Sequence, residues 1–124
     1  MIDIRRLVPE KLSRDFGLDY ELLLPWPTLN APFEGAYCVA RPGDSSLAHD
    51  HHEYEIFIGL SGSAEVVADG ERTKFSAGDI VHFQPGVHHQ VVNNSDENFV
   101  YYCIWWDQQM SERFIVRHGE AAQA

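Results

Sequence analysis

At 124 residues, 44% hydrophobic and 12% aromatic, the chain has the size and composition of one globular domain with its own core, not of a disordered segment. Nineteen acidic residues against nine basic ones give a net charge of −10, which excludes a surface built for nucleic-acid phosphates and argues against anionic membranes. The two cysteines, Cys38 and Cys103, make neither a CxxC pair nor a disulfide framework, so two free thiols in a reducing cytoplasm are expected. No apolar run approaches the roughly 18 residues of a membrane span, and Arg5 and Arg6 lead only to Leu7 and Val8, so no secretory leader is expected.

Residues 1–24 mix charge with apolar side chains and predict a short strand followed by an irregular arm. Pro25, Pro27 and Pro32 break regular structure, and Trp26 between two of them is expected as a packed lid or an interface residue. A strand follows over 35–41, with Tyr37, Val39 and Arg41 on one face and Cys38 and Ala40 on the other. Arg41-Pro42-Gly43-Asp44 is a turn. Further strands are predicted over 55–60, 64–68, 71–75, 80–83, 89–92 and 99–106, those over 64–68 and 71–75 separated by the Asp69-Gly70 hairpin signal. Glu55, Phe57 and Gly59 should face the interior; Ile56, Ile58 and Leu60 should face the opposite side, where another layer or another subunit would cover them. Residues 108–118 predict a short helix with Met110, Phe114 and Ile115 on one side, and the last six residues a tail. Short strands with turn signals at this spacing mean an all-β sandwich or barrel.

The chemistry concentrates in residues 43–62. His49 and His51, two apart in an extended segment, project to the same side with Cα atoms about 6.6 Å apart. Glu55 would lie about 13 Å further along a straight strand, so it can join them only if the chain turns through His52, Glu53 and Tyr54. Downstream, Pro85-Gly86 is a turn signal after a strand, and His89 follows as the natural fourth ligand. His52 and His88 alternate away from this face, and His82 reads as a solvent or interface histidine.

These two stretches resemble the paired motifs of the cupin family. Gly43, His49, His51, Glu55 and Gly62 fall on the first motif, and Gly78, Gly86, His89 and Asn93 on the second. Gln84 stands where the family usually has a proline, a departure that costs a rigid corner but no ligand. The resemblance implies a cupin double-stranded β-helix, a jelly-roll barrel, over residues 33–107, with an N-terminal arm over 1–32 and a short helix and tail over 108–124. It implies one divalent metal ion (iron, manganese, nickel or zinc) held by His49, His51, Glu55 and His89.

Three imidazoles and a carboxylate leave two positions on an octahedral ion and a site charge of about +1 inside an acidic protein. That arrangement suits a small, oxygen-rich, chelating substrate, with Glu55 as a catalytic proton shuttle. Tyr37, Arg41, Phe57, Phe83, Tyr101, Cys103 and Trp105 are the candidate substrate-binding residues, with Arg41 as a clamp for a distal carboxylate. In the last strand either the odd set Tyr101, Cys103, Trp105 or the even set Tyr102, Ile104, Trp106 lines the site; the odd set carries more polar atoms. Cupins of this form include dioxygenases, isomerases, lyases and decarboxylases, and a non-catalytic small-molecule binding or sensor cupin is the alternative. Apolar residues on both faces of 55–60 and 99–106 predict a homodimer.

Overall fold

The computed structural model describes residues 2–26 and 31–123. Among them the elements run β1 (Ser13–Asp15), β2 (Leu18–Leu22), β3 (Glu34–Ala40), β4 (Tyr54–Ser61), β5 (Ser63–Ala68), β6 (Glu71–Ser76), β7 (Ile80–Phe83), β8 (His89–Val92), β9 (Phe99–Trp106) and α1 (Gln108–Gln123). The strands form two antiparallel sheets, in the order β1-β2-β3-β9-β4-β7 and β6-β5-β8. The all-β jelly-roll expectation holds.

The core lies between the sheets. Alternation sends the even positions of β3 inward (Ala36, Cys38, Ala40), and the odd positions of β9 and β4 (Phe99, Tyr101, Cys103; Phe57). Register makes these agree: Ala36 sits opposite Cys103, Cys38 opposite Tyr101, and Phe57 opposite Cys103. The facing sheet contributes Val66, Phe75 and Val91. Phe75 meets Phe99 edge-on with ring centroids 5.0 Å apart, and Phe99 stacks on Tyr101 at 5.4 Å. Gly59 is required where β4 crosses close to β6, because a Cβ there would collide with the Ser76 carbonyl. Asp69-Gly70 is the expected tight turn, with φ of 48° and 84°.

Three expectations change. The irregular arm is a hairpin: β1 and β2 turn through Phe16-Gly17, at φ of 56° and 77°, and extend the larger sheet beside β3. The helix runs on to Gln123 instead of ending at 118, and Ile115 on it is exposed while Met110 and Phe114 are half-buried. Trp26 is exposed on the chain itself and packs as no lid, and Pro27 lies outside the described residues.

Candidate metal centre

His49 and His89 are placed by a backbone bridge. The His49 amide donates to the His89 carbonyl (3.2 Å), and the His89 amide returns the bond to the His49 carbonyl (2.9 Å). The Gly86 amide, in the turn before His89, donates to the His51 carbonyl at 2.9 Å. The second histidine stretch thus holds the backbone of the first. The segment between His51 and β4 turns, as the spacing demanded, and delivers Glu55 on the inward face of the strand. Buried Asn93 fastens the far end: its Nδ2 donates to the carbonyls of Ala40 and Glu97, and its Oδ1 accepts from Ser95.

Each of the four side chains offers one donor atom, and these atoms all lie within 4.8 Å of one another. The three imidazole rings are 4.8 to 5.1 Å apart between centroids. Every Nδ1 lies against a backbone carbonyl: Leu47 for His49 (2.8 Å), Glu53 for His51 (3.1 Å) and Val87 for His89 (2.8 Å). A carbonyl only accepts, so the proton belongs on Nδ1 and the Nε2 lone pair is bare. This is the outer-shell arrangement that fixes tautomer and ring direction at metal-binding histidines.

Glu55 Oε1 stands 3.0 Å from Nε2 of both His51 and His89. Lone pairs facing a carboxylate at that distance need a cation or a proton between them. Burial is the largest single influence on the His89 pKa and lowers it, but the hydrogen bonds to Glu55 and to the Val87 carbonyl, with the nearby charges of Glu55 and Asp50, together leave it above the ordinary 6.5. The donor set therefore fits a divalent ion, and imidazole with carboxylate suits iron, manganese, nickel and zinc.

The centre opens on a cavity of about 480 Å³. Of the expected substrate residues, Phe57, Tyr101, Cys103 and Trp105 line it, which selects the odd set of β9. Burial drives the Tyr101 hydroxyl well above its ordinary 10, so it remains an O–H donor. Cys103 and Cys38 are both free thiols in the wall, their sulfurs 3.7 Å apart; their mutual hydrogen bond, then burial, raises the Cys103 pKa.

Tyr37, Arg41 and Phe83 do not line the cavity. Tyr37 is on the outer face of β3, edge-on to Tyr102 at 5.5 Å, because the even positions of this strand point in. Arg41, on the same side, makes a two-pronged pair with Asp19 (2.8 Å each), away from the cavity lining. Phe83 faces inward as expected but lies behind His89, stacked on its ring at 4.3 Å and 14°, where it holds the imidazole instead of a substrate. His52, His82 and His88 are exposed, His52 being tied to Asp107 at 2.9 Å.

The sequence reading missed the near wall, where Phe16, Leu18, Tyr20, Leu22 and Leu47 line the cavity. The available signal was the alternation of Leu18, Tyr20 and Leu22 with acidic Asp19 and Glu21.

Comparison with known proteins agrees with this architecture. A solved Cupin 2 conserved barrel domain protein from Salinispora arenicola is 52% identical, covering 95% of this chain and 99% of its own, with a TM-score of 0.87. A protein from Photorhabdus luminescens is 36% identical over 96% of this chain and 99% of its own, with a TM-score of 0.86. A predicted oxalate decarboxylase from Thermotoga maritima, 18% identical, covers 82% of this chain and 98% of its own at a TM-score of 0.71, a likeness of fold. The profile of the cupin domain matches residues 36–105, and with those two relatives it places the chain in the cupin family.

Proposed function

We propose that this cupin is a divalent-metal-dependent enzyme acting on a small substrate that binds the ion through oxygen atoms. The observation that carries the reading is the convergence of three bare Nε2 atoms and the Glu55 carboxylate on one point at the wall of an open-mouthed, mostly apolar cavity. A bound divalent ion supplies Lewis acidity, or a place for dioxygen, at that wall. The chain's own residues do the rest. The Nδ1–carbonyl bonds hold the imidazoles in register. Phe57 and Trp105 keep water from the reacting group. Glu55 Oε1, already between two imidazoles, is positioned to take a proton if it leaves the ion. Tyr101 lines the same wall and keeps its O–H beside Cys38.

The apolar, aromatic lining favours an oxygenase over an isomerase or lyase, whose polar intermediates need more hydrogen-bonding groups than this wall carries. The test is metal analysis of the protein as purified, joined to oxygen uptake with chelating enols and catechols. Stoichiometric metal and uptake that vanish in His89→Ala are expected. Metal without turnover of any kind would favour the non-catalytic binding cupin instead. Failure to bind a divalent ion would remove both readings.

A further inference from the structure

The charges around the cavity are one-sided. Among the described residues lining it there is no Lys or Arg; the ionisable carboxylates are Asp15, Glu53 and Glu55. The nearby guanidiniums are engaged outside: Arg41 holds Asp19, and Arg14 grips both oxygens of Asp44 at 2.7 and 2.8 Å. Asp15 accepts from the Phe16 amide (2.8 Å) and is exposed to water, and Glu53 sits 3.2 Å from exposed His52, so solvent screens the pull of both carboxylates on a distal cation. A ligand's distal anion would find repulsion here and no partner; a distal cation would find only carboxylates screened by solvent.

The apolar near wall is also built with care. The β1–β2 turn places Phe16, a bulky residue, at φ 56°, a left-handed conformation that persists only where the surroundings hold it. They do hold it. The Leu47 amide donates to the Phe16 carbonyl at 2.9 Å, and Gly17 lies so close to the Ser45 carbonyl that no side chain would fit. The Arg14–Asp44 pair ties the same hairpin to the same loop. The result is an aromatic ring and the Leu47 side chain, both more than half exposed, kept at the cavity facing the metal ligands.

We propose that the substrate has a chelating head and an uncharged, apolar body, and that Phe16 and Leu47 are the residues that select that body. The inference rests on the metal reading above and narrows it: it excludes small dicarboxylates and other substrates with a second charge. The cavity volume is within the roughly 300–1,000 Å³ usual for pockets enclosing organic ligands, so there is room for such a body beside the head.

Three catechols with one head and different bodies test it by calorimetry on metal-loaded protein: 4-tert-butylcatechol (neutral), 3,4-dihydroxybenzoate (anionic) and dopamine (cationic). The neutral probe should bind about tenfold or more tighter than either charged one. Phe16→Ala should remove most of that preference with metal content unchanged. Leu47→Ala, at an exposed loop position that the fold does not need, should shift the preference the same way even if the Phe16 variant folds poorly. Equal affinities, tightest binding of a charged probe, or a preference untouched by both substitutions would overturn the proposal. If no catechol binds metal-loaded protein better than metal-free protein, the metal reading itself fails, and this proposal with it.

Discussion

The two faces of the larger sheet come from the same strands and are about equally apolar, yet they do different things. Inward, β4 and β9 carry Glu55, Phe57, Tyr101 and Cys103, all buried. Outward, the alternate residues are Ile56, Ile58, Tyr102 and Ile104, with Tyr54 stacked on Trp106 at 5.8 Å and 10° and Ile80 exposed beside them. Hydrophobicity alone does not tell the faces apart. What does is the placement of polar atoms: the inward face brings Glu55 to one point with three imidazole acceptors, whereas the outward face has no such convergence among its described residues. An apolar strand face says that something must cover it; only convergent polar groups say that chemistry happens there.

The largest effect expected from breaking this contrast is on metal. His89→Ala should weaken divalent-ion affinity by more than the ~10–100-fold typical of losing an outer-shell partner, because it removes a donor itself. Ile56→Ala, one residue from Glu55 but facing out, should leave metal stoichiometry unchanged. Metal analysis after dialysis against a weak chelator reads both, and equal loss in the two variants would erase the distinction between faces.

A stability pair sharpens it. Phe57 is buried and packs on Phe83, Tyr101 and His89 at centroid distances of 4.9 to 5.8 Å. Phe57→Ala should cost about 3–5 kcal/mol through the cavity it leaves. Tyr37→Ala, across the sheet and half-buried, should cost about 1 kcal/mol in dilute protein. Urea unfolding of the metal-free proteins checks the ratio, and similar costs at low concentration would mean that the outer face is already covered within the chain.

How much of this was legible follows from where each constraint resides. The four metal-centre residues could be read because two short stretches carry them at the spacing of the cupin motifs, and that resemblance implied the long-range meeting of the stretches that the His49–His89 bridge makes. Tyr37 and Arg41 could not. The inward parity of β3 is fixed by its pairing with β9, Cys38 opposite Tyr101, and Arg41 is drawn off by Asp19 on a strand 22 residues away in sequence. Phe83 was assigned the right face but the wrong depth, since alternation gives direction and not what lies in between. The β1–β2 hairpin escaped because its turn is Phe16-Gly17, not Asn-Gly or Asp-Gly; an aromatic at left-handed φ gives no local signal.

The outer face leads to the next expectation, a homodimer. Over β4, β7 and β9 it presents aliphatic and aromatic side chains with exposed His82 among them, while the charged side chains at its β2 end are paired, Asp19 with Arg41 and Glu21 with Arg5, so two copies can stack there without burying unpaired charge despite a net charge of −10 each. Light scattering at micromolar concentration should give twice 14.1 kDa, and Ile58→Arg should return the monomer mass. A monomer in the unsubstituted protein would leave this face without its proposed cover, and the contrast with the inner face would then be one of chemistry alone.

The smallest effect concerns the exposed pair that anchors the near wall. Asp44 is held below its ordinary 3.8, chiefly by its hydrogen bond to Arg14, which outweighs the opposing effect of burial. A carboxylate whose folded pKa is depressed contributes stability that is fully present above the unfolded value, and loses it as pH falls through the folded one. Arg14 is well exposed, so solvent screening keeps the contribution to a fraction of about 1 kcal/mol. Asp44→Asn should therefore be slightly less stable than the unsubstituted protein at pH 7, and the gap should close as pH falls below 3.8. Because the pair ties the Phe16 hairpin to the loop bearing Leu47, the same variant should loosen binding of an apolar catechol at pH 7 more than it lowers global stability. A stability gap that persists unchanged into acid would show that the pair's charge does not hold the hairpin, and that the wall of the inner cavity stands on its backbone bonds.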